Sequence, residues 1–502
     1  MFVREKLNKS GSISVQVIYK SSKKYKVVKT FGSSADPNEI LALKNEANRW
    51  IHGQTGQVAI NFDNQRTKTQ QVLDKIDQVK SVGIDLLLNS IYDEIGFNLV
   101  GDLLFRRLVF SRIEYPVSKL ATTEHWSLNH GMNVSVNTVY RLMDKVHSEY
   151  KEILQHLSFE HSKQVLEGEV NIAFYDVTTL YFETDHQDDL RKTGFSKEGK
   201  HQNPQIVLGL LVSRGGYPLA YEIFEGNKFE GHTMLPIVDE FCNKYNITKL
   251  VVVADSGLMS NKNVKELLNK GYGFILGARI KNMNKEVKDQ ILNLTLGNGE
   301  SAEIAQPDGL RLIITYSDKR AKKDGKNRQK GLDKLKKNIA SGKLTKSNIN
   351  NRGYNKYLKL DGEVKVQLDE EKFKEDGKWD GLKGYLTNVE GNSDEIIANY
   401  GELWKIEKAF RISKTDLKIR PIFHRIQKRI ESHICISFVA YNLHKELERQ
   451  LNIKEAGLSP EQTIKIARSI YEIQVPLSDG SKINKVLLLQ PEQVKLAELF
   501  NF

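Results

Sequence analysis

The chain has 502 residues, of which 39% are hydrophobic and 27% charged, with a formal charge of +12; this is enough apolar sequence for the cores of about two to four domains. No run approaches the roughly 18 apolar residues of a membrane span and "MFVREKLNKS" lacks the apolar stretch of a secretory leader, so a reducing cytoplasm is expected, without membrane contact. Cys242 and Cys435 lie in apolar surroundings without a CxxC partner, which leaves them as core residues and excludes a disulfide framework.

In chain order, "SISVQVIYKSSKKYKVVKTF" (12–31) reads as two strands joined by a Ser/Lys turn, and a helix is expected over 38–51. Together they make a small N-terminal α+β module, residues 1–60. After the polar stretch "NFDNQRTKTQQ", a helical region runs over 83–166. Within it "SKLATTEHWSLNHGMNVSVNTVYRLMDKV" is helix, glycine-containing turn and helix. This pattern is helix-turn-helix-like, and its second helix (136–146) is expected to turn Asn137, Thr138, Tyr140 and Arg141 outward to read a groove. A plain helical hairpin is the other reading, because the turn is long.

From residue 169 the period changes. "VNIAFYDVTTLYFET", "NPQIVLGLLVSRGGYPLAYEIFEG" and "KLVVVADSG" predict one strand, then a two-strand hairpin turning at Gly215 and Gly216, then a helix and a further strand. Another helix and the strand "GFILGAR" follow. Three strands in meander and then alternating helix and strand is the order of a ribonuclease-H-like mixed sheet, so the expected class is multidomain α/β, with residues 169–280 as the first part of the core. Residues 281–392 read as a separate region. Its stretch 317–346 holds twelve Lys or Arg against three Asp, which is most of the chain's excess charge. Such a run is either a solvated helix or a grip on DNA phosphates. Helices resume over 393–450, and 451–502 read as a C-terminal, mainly helical segment without an assigned role.

Asp176 is the anomaly in this pattern, a carboxylate in the middle of an apolar strand, where an unpaired charge costs several kcal/mol. Asp255 mirrors it at the end of "VVVAD". Two aspartates on neighbouring strands repel unless a cation lies between them. Mg²⁺ suits hard oxygen ligands and leaves positions for water and phosphate. Two such ions, about 3.5–4 Å apart, serve phosphoryl transfer and require a third carboxylate. Glu407 in "NYGELWKIEKAFRISK" is the candidate, with Ile406 and Phe410 on the apolar side of its helix.

The motifs "YDVTTLYFE", "VVVADSG", Y-x₂-L-W-x-I-E-x₂-F-R-x₂-K and "IRPIFHRIQKRIESHICISF" resemble the bacterial insertion-sequence transposases of the DDE class, over roughly residues 169–450. The resemblance implies Asp176, Asp255 and Glu407 as a metal-binding catalytic triad, holding two Mg²⁺ with Mn²⁺ able to substitute. It makes 281–392 the family's insertion domain, gripping DNA through Lys322, Lys323 and Arg328, and 393–450 the completion of the core. Tyr400 and Lys414 match the tyrosine and lysine of the Y-R-E-K signature, which contact phosphates and distorted bases at the transposon end. The signature arginine falls on Leu403, leaving Trp404, Lys405 or Arg411 to compensate. In "IRPIFHRIQKRIESHI", Arg420, His424, Arg425, Lys428 and Arg429 form a basic face, read either as phosphate contacts or as a surface face with its Ile side inward. The implied activity is Mg-dependent cleavage at insertion-sequence ends and strand transfer into target DNA, by a homodimer on the DNA in a nucleoid-associated, bacterial setting. The rivals are a ribonuclease-H-like nuclease or resolvase that cuts without joining, and a non-catalytic DNA-binding protein. "GFSKEGKH" has His201 where a P-loop needs Ser or Thr, so a loop touching DNA through Lys197 and Lys200 is expected instead. His186, His201 and His232 are expected to be solvated or capping.

Overall fold

A computed structural model describes residues 1–21, 24–55, 76–168, 170–196, 199–344, 346–350, 353–361, 365–476 and 481–502. The chain divides into two compact units, Met1–Gln78 with Ile473–Lys485, and Val79–Glu472 with Val486–Phe502. In the first, β1 (Phe2–Leu7), β2 (Ile13–Ser21) and β3 (Lys24–Ser34) form an antiparallel sheet in that order. Helix α1 (Pro37–Thr55) lies on it, closing a small core of Val15, Val17, Ile40 and Ala47. The reading from sequence found two of these strands. β1 escaped it because "FVREKL" buries almost nothing and so shows no apolar alternation. The stretch "NFDNQRTKTQQ" lies outside the described residues.

A short strand β4 (Gln78–Ser81) precedes the helices α2 (Gly83–Glu94), α3 (Leu103–Glu114), α4 (Lys119–His130), α5 (Val136–Lys145) and α6 (Lys151–Val165). α4 ends on Gly131, whose φ of 64° is the left-handed conformation a residue without Cβ adopts at no steric cost. Ser135 then caps α5 by accepting from the Thr138 amide.

The sheet that follows carries the class expected from sequence. β5 (Ile172–Tyr181), β6 (Gln205–Ser213) and β7 (Pro218–Glu225) form an antiparallel meander. Helix α7 (Met234–Tyr245) leads to β8 (Val251–Ala254), and α8 (Asn261–Asn269) to β9 (Gly273–Ala278). β8 runs parallel to β5, and β9 parallel to β8. After α9 (Lys285–Leu292) come β10 (Ser301–Ala305) and β11 (Arg311–Tyr316). An excursion then carries α10 (Asp318–Ala340), the hairpin β12 (Leu358–Asp361) and β13 (Lys365–Leu368), and α11 (Glu370–Gly377). β14 (Leu382–Thr387) returns to the sheet, whose full order is β10-β11-β14-β9-β8-β5-β6-β7. The separate region read at 281–392 is therefore narrower. β10, β11 and β14 belong to the main sheet, and what stands off it is 317–381, with its own core of Leu335, Tyr357, Leu358 and Val366.

Helices α12 (Ser393–Gly401), α13 (Trp404–Thr415) and α14 (Gln427–Ile453) complete the core, followed by α15 (Pro460–Ala467), β15 (Tyr471–Pro476), β16 (Lys482–Leu487) and α16 (Pro491–Phe500). α14 is buried along most of its length and packs against α2, α3, α5 and α6. Both cysteines are buried and free. Among the described residues no helix is long and apolar enough to cross a membrane.

Candidate active site

Strand register brings the two aspartates together. β5 and β8 are parallel, with Tyr175 opposite Ala254. Asp176 and Asp255 each follow that pair by one residue, Asp176 within β5 and Asp255 just past the end of β8, which sets them at neighbouring positions. Side chains alternate between the faces of a sheet. Tyr175 and Ala254 pack into one core, whereas Phe174 and Val253 pack into the other, which also holds Ile406, Ala409 and Phe410 of α13. Two residues beyond Phe174 and Val253, Asp176 and Asp255 face that helical side, and both are half-buried. Oδ1 of Asp176 accepts from the Val177 amide, and Oδ1 of Asp255 from the Gly257 amide, each at 2.7 Å. The Gly257 carbonyl in turn accepts from Arg279 at 3.3 Å, so a cation at the end of β9 steadies the loop that carries Asp255.

Glu407 lies in the first turn of α13. α13 packs on β5 and β6, with Ile406, Ala409, Phe410 and Ser413 buried. Trp404, Glu407, Arg411 and Lys414, spaced by three, four and three residues, share a stripe that flanks this buried face. The first three are exposed and Lys414 is half-buried. Tyr400 is buried at 7% exposure, a departure from the DNA contact expected of it. Its ring meets Tyr385 edge-on, centroids 4.8 Å apart, and Lys383 Nζ lies 4.3 Å from its centre. Burial pushes the Tyr400 phenol well above its usual range, and the charges of Asp255 and Glu407 push it further. Burial also lowers the Lys383 amine, as does Arg320, while Glu407 opposes them. Asp255, Tyr400, Lys383 and Glu407 thus share one electrostatic neighbourhood, and Arg320 brings the start of the basic segment beside it.

The donor set suits a hard divalent cation. Two ions about 3.5–4 Å apart, each about 2.1 Å from its oxygens, need carboxylates spread over up to about 8 Å. Asp176 within β5, Asp255 just past the end of β8 and Glu407 on α13 are the carboxylates that would have to supply it. Tighter groups, with ligand atoms all within 4.8 Å, occur elsewhere at Glu114, His125 and His130 and at Asp416, His444 and Glu461. In the first of these Arg107 lies 2.5 Å from both Glu114 and His130, so a cation already sits among the ligands.

Other expected DNA contacts divide between surface and core. Arg141, Arg411, Arg425, Lys322 and Lys323 are exposed. Arg429 instead donates to both oxygens of Asp144, at 2.9 and 3.1 Å, and covers the Tyr140 ring, tying α5 to α14. Arg328 is clipped to Asp380 over the Phe373 ring, a structural role within the excursion. His424 leaves the basic face altogether: burial, then Lys119, Arg112 and Arg429, bring its pKa down to about 3. Arg420 is half-buried, 5.8 Å from the Tyr181 ring centre. Leu403 is buried, so the position of the signature arginine faces the core. Lys405 is committed to the Arg214 carbonyl and Glu402. Lys200 lies 3.9 Å from Glu183, and Lys197 is outside the described residues. His186, His201 and His232 are exposed, and His201 accepts from the Ser196 amide.

Reading from sequence missed Arg279, Arg320 and Lys383, which line a cleft of about 540 Å³ together with Lys281 and Lys356. Arg279 had a signal, a cation closing the apolar strand "GFILGAR" next to the strand that ends in Asp255.

Residues 171–443 match the family model described as "Transposase DDE domain". A cryo-EM structure of a piggyBac transposase synaptic complex with hairpin DNA is similar over 73% of this chain and 69% of that chain, at 10% identity and a TM-score of 0.40. No curated protein matches the chain.

Proposed function

Because the chain belongs to the transposase DDE domain family, we propose that it cuts DNA at the ends of a bacterial insertion sequence and joins them to target DNA at a site built from Asp176, Asp255 and Glu407. These three residues would hold two Mg²⁺, with Mn²⁺ as a substitute. When bound, the ions supply activation of the attacking oxygen and charge stabilisation for in-line displacement at phosphorus. The observation that carries the reading is the β5–β8 register, which sets two acids side by side on the sheet face that α13 covers.

The surrounding residues take roles that follow from their placement. Lys383 and Arg320 offer positive charge to the phosphates beside the scissile bond. Trp404, 53% exposed on the Glu407 stripe, offers a face for stacking an unpaired base. Arg411 and Lys414 flank it for the strand's phosphates, and Arg420 and Arg425 extend the contact. Tyr400 acts as a buried wedge that positions Asp255 and Glu407. The positive charge of the signature arginine comes here from Lys383 and Arg320. We assign DNA end recognition to the helical region 83–166, with Arg141 on α5 toward a groove, and a grip on flanking DNA to Lys322 and Lys323 of the excursion. A homodimer pairs the two ends.

The test is cleavage and joining of a labelled duplex carrying the element's end, with Mg²⁺, by the wild type and Glu407→Ala. Joining lost with binding retained supports the reading. Cleavage that survives the substitution removes Glu407 from the site, and cutting without joining assigns the chain to the nucleases.

A further inference from the structure

Beyond the carboxylate site, the second unit holds two buried cations, Arg112 and Lys119, in a cavity whose lining contains no anion. A cavity of about 380 Å³ lies between the end of α3, the start of α4, the segment 418–424 and α14. Arg112, Lys119, Lys418 and Arg420 line it, with His424 and His433, and no carboxylate does. Arg112 and Lys119 are each 5% exposed. Arg112 donates to the Leu417 carbonyl at 3.4 Å and to Nδ1 of His433 at 3.1 Å, while Nε2 of His433 lies 2.9 Å from the Ile419 carbonyl. That arrangement keeps His433 neutral and leaves Nε of Arg112 without a hydrogen-bond partner. Lys119 has neither an ion pair nor a hydrogen bond among the described residues. A buried cation without a counter-charge is costly, and two side by side are costlier still.

We propose that this cavity is a phosphate-binding pocket that takes a backbone phosphate of the DNA strand, resting on the transposase reading for the identity of the strand. Three features select a phosphate. Lys119 is the first residue of a twelve-residue helix whose N-terminal amides, capped by Ser118, border the cavity, and such ends favour anions. Arg112 and Lys119 supply the charge from its floor. Phe423, 65% exposed, and Leu120, 54% exposed, make an apolar rim against which a sugar can lie. Burial holds the Lys119 amine well below its usual range, with Arg112 adding to it, and lowers Arg112 to about 10; both are shifts that an arriving anion would reverse. The pocket connects to the active site through Arg420, which sits over Tyr181, five residues beyond Asp176 on β5. That separation is about 17 Å along the strand, or about five nucleotides of DNA.

The experiment uses the full chain and two probes, inorganic phosphate and a random-sequence DNA duplex, with Lys119→Met as the variant. Thermal melting in phosphate and in chloride at equal ionic strength should show the wild type raised by phosphate to saturation. The variant, relieved of a buried charge, should melt above the wild type in chloride and gain nothing from phosphate. On the duplex, the slope of log K against log salt should fall by about 0.9. Equal protection of both proteins by phosphate, or of neither, overturns the pocket. Loss of protection with an unchanged DNA slope overturns the assignment to the strand and leaves free phosphate as the ligand. Arg420→Gln, at a half-exposed position, repeats the phosphate-melting arm if Lys119→Met does not fold, and undiminished protection by phosphate in that variant overturns the pocket. Neither readout requires cleavage, so failure of the transposase reading would show separately.

Discussion

Gly277→Ala tests how closely the site is packed. Gly277 lies in β9 opposite Tyr385 of β14, on the face shared with Asp255 and Tyr400. An added Cβ would stand 2.5 Å from the Tyr400 hydroxyl oxygen and 2.9 Å from the Ser256 amide nitrogen. Ordinary van der Waals contact begins at 3.4 Å, so the first falls about 0.9 Å short and the second about 0.5 Å, and neither neighbour is compliant. The Tyr400 ring is held between Tyr385 and Lys383, and the Ser256 amide is backbone adjoining Asp255. Overpacking of this kind costs about 1–3 kcal/mol, and a shift of about 1 Å in a catalytic group costs about 10²-fold in rate. The variant should therefore fold with a modestly lower Tm, bind end DNA normally and cleave it about 10²-fold more slowly. Tyr400→Phe removes the nearer of the two obstructing atoms, so the double variant should recover part of the rate, with a coupling of about 1 kcal/mol or more in a double-mutant cycle. Cleavage and melting temperature both at wild-type levels in Gly277→Ala, or a double variant no better than additive, would refute the wedge role of Tyr400.

Three further expectations separate structure from DNA contact. Glu446 is fully buried with His161 at 3.0 Å and Arg449 at 2.6 Å; burial raises its carboxyl, but His161 and Arg449 outweigh this and bring it from 4.5 to about 2. The stability this gives is complete above pH 4.5 and lost as pH falls toward 2, a difference on the order of 3 kcal/mol. Glu446→Gln should thus be less stable than the wild type by up to about that amount at pH 7, with the gap closing near pH 2, as followed by denaturant titration across pH; a gap independent of pH would contradict it. In the excursion, Arg328→Ala should lower stability by about 1–3 kcal/mol through loss of Asp380's partner. Lys322→Ala with Lys323→Ala should leave Tm unchanged and reduce the salt slope of DNA binding by about 0.9 per phosphate released. An unaltered slope would take the exposed lysines off the DNA.

What could be read from sequence was what local periodicity determines. Asp176 stood out because β5 alternates between two cores and no polar residue belongs at that place in it. Its neighbourhood with Asp255 followed from the order meander, helix, strand, which fixes which strands are adjacent. The excursion's limits differ from those expected for the same reason: β10, β11 and β14 look like isolated short strands until β14 is seen to pair with both β9 and β11, and pairing across about 70 to 110 residues has no local signal. Tyr400 and Arg429 were placed at the surface because a helix shows which residues share a stripe but not which stripe a neighbour covers.

The cations obey a different rule from the acids. A carboxylate in an apolar strand is an anomaly visible in nine residues, whereas a lysine at a helix start, as in "SKLATTEHW", looks like any solvated residue. Lys119 becomes anomalous only when the segment 418–424 and α14 close over it, and Arg112 meets His433 across 321 residues of sequence. Long basic side chains normally keep their charge in water while burying only their stems, so a pair at 5% exposure each has given up most of that solvation, which an arriving anion would replace. The net charge of +12 does not identify such sites. Most of it lies on the exposed surface of the excursion, where salt screens it; of the cations that folding hides, Arg107 finds Asp85 and Glu114 within the chain, whereas the cavity of Arg112 and Lys119 is lined by no carboxylate.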